Sequence, residues 1–353
     1  MRDIKRILCP TDLTPNSDQA LRYALALTRA YESKLIICYC PSNAAIVTSA
    51  TIPEGPVSDS SAHQKADQLF KKALFKFLAP QDIGELDWQG VLMAGDDVGE
   101  AITQAASEYD ADLIVMRSRR RPHRAAILGS TAESVCRTAP CPVLVMHTDE
   151  RDWVQPLSRN ITLQRVLVPY DFSDYSELAL RYALSFAQEY QAELHLLHVL
   201  PPFTVDESEI SWHPLGREGA YHKAAHRLQK AIPKEVYLWC DVKNAVSEGR
   251  PYREILSYAE KNKIDLICLG AHGAGFGMRA LFGSNVDRVI RQAPCPVLVS
   301  RPLKPAMSGV QYTPPEVIAA AAPPPSFENV RTFRGDLDNR AQATTSMRVS
   351  KGV

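Results

Sequence analysis

The sequence has no long apolar run and no excess of charge of either sign. No apolar stretch approaches the ~20 residues that a membrane helix needs, and the first residues lead into a short strand-like run without the features of a secretory signal. Lys plus Arg and Asp plus Glu each number 40 in 353 residues, so the formal net charge is zero. This balance argues against a broad electrostatic surface for nucleic acid or membrane. We therefore expect a cytoplasmic protein with no nucleic-acid and no membrane partner.

Several motifs of well-understood chemistry are also missing. There is no Gly-x-Ser-x-Gly elbow, no zinc-type His/Cys cluster and no Walker loop ending in Gly-Lys-Ser/Thr. The eight cysteines form no Cys-x-x-Cys pair, and several lie within apolar runs. This pattern favours small buried thiols over metal ligands or disulfides, with a redox sensor as the minor alternative. The sequence therefore assigns no catalytic residue and no metal ligand.

An internal duplication is the main feature that is present. The motif Ala-Leu-Arg-Tyr-Ala-Leu occurs at residues 20–25 and 179–184, and Ala-Pro-Cys-Pro-Val-Leu-Val occurs at residues 139–145 and 293–299. The repeating unit is far longer than a solenoid repeat, so a whole domain is duplicated. The chain is long enough for two domains with full cores.

Each copy alternates short apolar strands with amphipathic helices, which predicts a parallel sheet covered by helices. In the second copy we expect a helix with Ser173 or Asp174 as its N-cap, and a third strand at residues 236–242.

The organisation along the chain follows from the repeat and the composition. Residues 1–148 form the first copy, 149–162 a polar linker, and 163–302 the second copy. Residues 303–353 contain proline and alanine runs and no sustained periodicity, so we expect a disordered tail.

A glycine-rich loop in the second copy is the strongest candidate site. Ligands of open parallel sheets bind at the carboxyl ends of strands. After the strand at residues 266–269 come Gly270-Ala271-His272-Gly273 and then Gly283-Ser284-Asn285 at the start of a helix. Glycines let backbone N–H groups approach phosphate oxygens, and a helix N-terminus offers further donors. The alternative is a flexible turn in which Ser284 caps the helix.

A second loop of the same copy carries Asp171, directly after the first strand. This carboxylate is suited to bond a ribose hydroxyl or a base edge, or to cap the following helix. The sequence leaves both roles open.

The spacing Gly270-x2-Gly273-x9-Gly283-Ser284 resembles the ATP-binding signature of the universal stress protein family. The Val-Pro-x-Asp-x-Ser run from Val168, Gly249-Arg250-Pro251 and the repeated Ala-Pro-Cys-Pro-Val-Leu-Val motif agree with that resemblance. It covers about residues 5–147 and 163–301. It implies two Rossmann-like domains, each an open five-stranded parallel sheet with helices on both faces, like adenine nucleotide alpha hydrolases. It also implies ATP, alone or with Mg²⁺, as the cofactor.

The resemblance also implies roles for single residues. Asp171 would contact ribose or adenine beside Pro169, and Val199 would line the adenine pocket. His272 would donate to a phosphate or face solvent, and Arg279 is a weaker phosphate candidate. The residues implied at the site are Pro169, Asp171, Val199, Leu269, Gly270, His272, Gly273, Gly283, Ser284 and Asn285.

The first copy departs from this pattern. Asp12 and Gly129-Ser130 match the second copy, but Arg117 and Arg120 stand where Gly270 and Gly273 do. Long side chains would fill the space that backbone contacts to phosphate need, so we predict that this copy binds ATP poorly or not at all. The alternative is that the arginine loop at residues 117–124 binds an anion or an acidic partner.

The expected function is a regulatory ATP-binding module in a stress response. A slow ATPase or nucleotidyl transferase, and a nucleotide-independent interaction scaffold, are the alternatives. Related domains pair through their final strands, here residues 143–146 and 297–299. We expect this pairing within the chain, because it satisfies exposed sheet edges. A homodimer and a protein partner stay open.

Overall fold

A computed structural model describes residues 4–39, 68, 70–76, 85–93, 97–118, 129–147, 150–155, 160–202, 216–272, 283–301 and 330–332. Over these ranges, we find no helix with the length and apolar character needed to cross a membrane.

Strands and helices alternate in both copies, as the sequence pattern predicts. The strands are β1 (Arg6–Thr11), β2 (Lys34–Tyr39), β3 (Trp88–Leu92), β4 (Leu113–Arg117), β5 (Val143–Met146), β6 (Arg165–Pro169), β7 (Glu193–Leu200), β8 (Val242–Glu248), β9 (Leu266–Gly270), β10 (Val297–Ser300) and β11 (Val330–Thr332). The helices are α1 (Asp18–Tyr31), α2 (Val98–Glu108), α3 (Ser130–Thr138), α4 (Asp174–Tyr190), α5 (Gly216–Ala231), α6 (Pro251–Lys261) and α7 (Ser284–Gln292), with a 3-10 helix at Lys234–Leu238. Residues 70–74 are helical as well.

All strands join one sheet in the order β11-β8-β7-β6-β9-β10-β5-β4-β1-β2-β3. The five strands of each copy are parallel to one another, and the copies meet where β5 and β10 pair antiparallel, with Leu144 opposite Leu298. The structure thereby confirms the predicted fold class and the pairing of the two final strands within the chain.

Helices cover both faces of this sheet, because successive strand residues point to opposite sides. One core contains α1, α4 and α5 and continues across both copies; Ile7 belongs to it. The other contains α2, α3, α6 and α7, and the next residue, Leu8, belongs to that one. Strands buried on both sides explain why they read as continuous apolar runs in the sequence.

The third strand of the second copy does not lie where the sequence predicts it. Residues 234–238 form the 3-10 helix after Pro233, and the strand is Val242–Glu248. This strand looks polar because it buries Asn244 and Ser247. Each has a side-chain partner: the Asn244 side-chain N–H donates to the Tyr237 hydroxyl at 3.5 Å, and the Ser247 hydroxyl donates to the Glu254 carboxylate. Hydropathy alone therefore favours the wrong segment.

The segment between the copies is folded rather than a plain polar linker. Trp153 and Val154 are 1% and 0% exposed and belong to the core that spans both copies. The Trp153 ring meets the Tyr23 ring edge-on at 4.7 Å, and the Trp153 backbone N–H donates to the Tyr23 hydroxyl at 3.0 Å. Thr162 donates its backbone N–H to the Trp153 carbonyl at 2.7 Å, so the segment turns back on itself.

Ion pairs fix the same segment to both copies. The Arg22 guanidinium of α1 bonds the Asp152 carboxylate and the Val154 carbonyl. Arg151 reaches the second copy, where it donates to the carbonyls of Ile264 and Ala259, each at 3.0 Å. The connection thus stabilises the pairing of the copies.

The structure also departs from the expectation of a disordered tail at Val330–Thr332. These residues form β11 and pair in parallel with β8, from Val330 opposite Asn244 to Thr332 opposite Val246. They add to a sheet edge whose backbone groups would otherwise lack partners. The remainder of residues 303–353 lies outside the described part of the chain.

Candidate functional site

The glycine loop of the second copy begins with a close contact between two backbones. β9 ends at Gly270, opposite Ser300 of β10. A Cβ at position 270 would lie 2.6 Å from the carbonyl carbon and oxygen of Tyr175, in the first turn of α4. Real Cβ atoms do not approach backbone so closely, so glycine at this strand end is required by packing.

The far end of the loop returns to the same place. Ala271 donates its N–H to the Ser300 carbonyl at 2.9 Å, and its own carbonyl accepts from the Gly283 N–H at 3.3 Å. α7 starts immediately after Gly283, so the end of β9 and the start of this helix lie side by side.

The start of α7 leaves backbone donors available. Gly283, and not Ser284, is the N-cap residue, and no described side chain caps this terminus. Ser284 and Asn285 are exposed in the first turn. Uncapped N–H groups at the positive end of a helix dipole are suited to bind phosphate.

His272 lies between these two features. Its ring meets the Tyr175 ring edge-on at 5.1 Å. Its Nδ1 is buried, with no hydrogen-bond partner among the described residues. Burial, and secondarily the charge of Arg301, lower the pKa of His272 below its usual value. His272 therefore carries a buried ring nitrogen without a described partner, two residues after the end of β9.

Asp171 organises the loop after β6. Its Oδ1 accepts from the backbone N–H and the hydroxyl of Ser173, at 3.1 and 2.6 Å. Ser173 is the N-cap of α4, and its hydroxyl oxygen accepts from the Ser176 N–H at 3.2 Å. The carboxylate thus holds the turn rather than capping the helix itself.

Contacts of the Phe172 side chain stabilise that turn. Phe172 adopts a left-handed backbone with φ of 66°, and its ring lies 5.3 Å from the Tyr170 ring and 4.7 Å from the His198 ring. The Arg227 guanidinium stacks on Phe172 at 3.7 Å. His198 donates from Nδ1 to the Tyr170 carbonyl at 2.7 Å. These contacts offset the strain of the positive φ and fix the position of Asp171.

The remaining predicted residues lie at the same carboxyl edge of the sheet. Pro169 ends β6 and is opposite Leu197 of β7. Val199 and Leu269 pack on the core side that carries α6 and α7, with Val199 partly exposed. The predicted residues Gly273 and Arg279 lie outside the described part of the chain.

The first copy repeats the turn and the helix start. Asp12 Oδ1 accepts from the backbone N–H and the hydroxyl of Thr14, at 3.0 and 2.6 Å, and Leu13 has a φ of 58°. Gly129 is the N-cap of α3, and no described side chain caps that terminus either. The two copies therefore share the framework of the site.

The two copies differ at the end of their fourth strand, which is β4 in the first copy and β9 in the second. Arg117 ends β4 at the place of Gly270, and its guanidinium donates to the backbone carbonyl of Asn16. Asn16 stands where Tyr175 does in the repeat. α1 begins only at Asp18, one turn later than α4, which leaves room for this side chain. Arg120, the counterpart of Gly273, lies outside the described residues.

Two parallel α/β domains, paired in one chain and carrying loops at their carboxyl edges, define a tandem protein of the Rossmann-like class. The family model described as the universal stress protein family matches residues 3–147 and again residues 162–301. The chain belongs to the universal stress protein family.

Relatives agree with that assignment. A universal stress protein of Methanocaldococcus jannaschii is 34% identical over 139 residues, which are 38% of this chain and 81% of that protein. One of Mycobacterium tuberculosis is 32% identical over 200 residues, 56% of this chain and 65% of that protein. The crystal structure of a universal stress protein from Archaeoglobus fulgidus shares the fold, with a TM-score of 0.59 and 24% identity over 85% of this chain and 99% of that one.

Proposed function

We propose that the second copy, residues 163–302, binds ATP at the glycine loop and acts as a regulatory nucleotide-binding module. The observation that carries this proposal is the hydrogen bond from the Gly283 N–H to the Ala271 carbonyl, at 3.3 Å. It places the uncapped start of α7 beside the end of β9, where a phosphate would meet several backbone donors at once.

The residues around this hydrogen bond favour a bound anion over the alternative, a turn that holds no ligand. The buried Nδ1 of His272 lacks a described partner, and a ligand that hydrogen bonds to it would relieve the cost of leaving it unsatisfied. Asp171 and Val199 lie at the neighbouring strand ends of the same edge, which suits a ribose and a flat base. The family resemblance favours ATP as the ligand.

The first copy, residues 1–148, is proposed as the partner domain without bound nucleotide. Its Arg117 occupies the strand end and is tied to Asn16. A phosphate there would have to displace a guanidinium that already has a backbone acceptor.

The experiment compares Ser284→Asp with Ser130→Asp, its counterpart in the first copy. Both residues start a helix that has no described side-chain cap, so a carboxylate is favourable for helix stability at either place. In the second copy it would also occupy the phosphate site and repel the ligand. By calorimetry on the full chain, we expect Ser284→Asp to weaken ATP binding at least ~10-fold, about 1.4 kcal/mol, and Ser130→Asp to bind as the wild type does.

Other outcomes decide between the alternatives. Equal affinity in both variants would show that the site is assigned to the wrong loop. Wild-type protein that stays empty at millimolar ATP would instead support the interaction scaffold. Multiple-turnover release of phosphate or pyrophosphate, lost in Asp171→Asn, would support the enzyme.

A further inference from the structure

Three arginines surround one tyrosine at the starts of α6 and α7. Arg253 donates from Nε to the Tyr252 hydroxyl at 3.0 Å. The guanidinium carbon of Arg288 lies 4.7 Å from the centre of the Tyr252 ring. Arg250, the residue before α6, lies close enough to Tyr252 to contribute to lowering the pKa of its hydroxyl. We call these four residues the arginine cluster.

The cluster is positively charged. The hydrogen bond from Arg253 is the main cause that lowers the pKa of Tyr252, and the charge of Arg253, a side-chain interaction with Arg250 and the charge of Arg288 add to it, although desolvation opposes that shift. All three arginines are exposed. In the described ranges, no carboxylate forms an ion pair with any of them, whereas nearby Arg291 is paired with Asp287.

The position of the cluster links it to the glycine loop. Arg288 follows Ser284 by one helical turn, and residues four apart lie on the same face of a helix; both are exposed. α6 begins at the carboxyl end of β8, so its first turn lies at the same edge of the sheet as the start of α7. Guanidinium groups bind phosphate oxygens through two parallel hydrogen bonds.

The first copy provides an internal comparison. α2 and α6 each have eleven residues, which places Asp97, Gly99 and Glu100 at the positions of Arg250, Tyr252 and Arg253. Asp97 caps α2 by accepting from the N–H groups of Gly99 and Glu100, at 2.7 and 3.0 Å.

Ser134 is the counterpart of Arg288, and it packs against Gly99. A Cβ on Gly99 would lie 2.6 Å from the Ser134 Cβ. The region is therefore acidic in the copy whose strand end carries Arg117, and basic in the copy that keeps the glycine loop. If the fold required this basic surface, both copies would carry it.

We propose that Arg250, Arg253 and Arg288 bind the distal phosphates of the nucleotide in the glycine loop. This inference rests on the proposed function. Its consequence is selectivity: affinity increases with the number of phosphates, and the increase comes from the cluster, which does not contact base or ribose.

The test measures ATP, ADP and AMP binding to the full chain for wild type, Arg253→Gln and Arg288→Gln. Arg181→Gln is the matched control, because Arg181 is an exposed arginine of the same copy on α4, which packs on the opposite face of the sheet. We expect each cluster variant to lose about tenfold in ATP affinity, with AMP affinity unchanged and the control like wild type. An unchanged ratio of ATP to AMP affinity in both cluster variants would overturn the inference.

Inorganic tripolyphosphate separates this inference from the proposed function. A chain that binds none of the three nucleotides contradicts the proposed function. In that case, tripolyphosphate binding that Arg288→Gln weakens would support a phosphate site at the cluster. Equal tripolyphosphate affinity in wild type and Arg288→Gln would overturn it. Melting temperatures of the variants verify folding, since all three arginines are exposed.

Discussion

Gly270 lies against the backbone of Tyr175 so closely that a single methyl group would not fit between them. The added Cβ would be 2.6 Å from the Tyr175 carbonyl oxygen. In the first copy the same contact is replaced by a bond from Arg117 to the Asn16 carbonyl. The two copies thus share one framework but differ in the residue at the strand end, Arg117 in the first and Gly270 in the second.

Gly270→Ala is expected to destabilise the protein, because the new Cβ overlaps backbone that cannot rotate away. Such overpacking costs about 1–3 kcal/mol. Gly283→Ala is the matched control, since its Cβ would find its nearest neighbour at 3.4 Å, an ordinary contact. Chemical unfolding followed by circular dichroism measures both. A larger loss for Gly283→Ala would contradict the packing argument.

One ATP per chain is the expected stoichiometry. Arg117→Gly is expected to keep that ratio, because Arg120 and the remaining arginines of the first loop are still present. Calorimetry, or nucleotide analysis of the heat-released supernatant, gives the number directly. Two equivalent sites in wild type would refute the asymmetry between the copies.

Trp153→Ala is expected to lower the free energy of unfolding by about 3–5 kcal/mol, as for other large buried aromatics. Trp153 is 1% exposed and fills the core shared by both copies. Phe75→Ala is the control, because Phe75 is 50% exposed and surface changes cost at most about 0.5 kcal/mol. Urea midpoints measure both variants, and similar losses would show that the segment between the copies is not part of the core.

Stability is expected to decrease as pH falls from about 6.5 toward 4, because of His195. Burial, and then the charge of Arg165, lower the pKa of His195 to about 4. Its Nδ1 lies 2.9 Å from the Tyr258 hydroxyl, and its Nε2 lies 3.3 Å from Glu193, which also pairs with Lys243.

The sign follows from proton uptake. The unfolded chain protonates this histidine near pH 6.5 while the folded protein keeps it neutral. The contribution of the neutral His195 to stability is therefore fully present above pH 6.5. At pH 4 the free energy of unfolding is lower by about 3 kcal/mol. His195→Gln should flatten this dependence, and His222→Gln, on the exposed side of α5, should not. Identical pH curves for wild type and His195→Gln would contradict the assignment.

The sequence predicted the local backbone structure at two places of the candidate site, because the signals for it are local. The turn at Asp171 and the start of a helix after Gly283 depend on neighbouring residues, and both are found. The misplaced third strand shows the limit of such signals: the partners of Asn244 and Ser247, Tyr237 and Glu254, come from neighbouring elements, so hydropathy makes a buried strand look exposed. The burial of Trp153 could not be predicted either, because its contact with Tyr23 joins positions 130 residues apart.

By itself the sequence determined the duplication, the alternation of strands and helices, and the replacement of two loop glycines by arginines in one copy. These are properties of residue order and backbone preference. Only the tertiary structure decided that the segment between the copies enters their common core. It alone showed that Arg117 bonds Asn16, and that Arg288 of α7 reaches Tyr252 of α6. Each of these is a contact between residues distant in the chain, and such contacts are set by how the helices pack on the sheet.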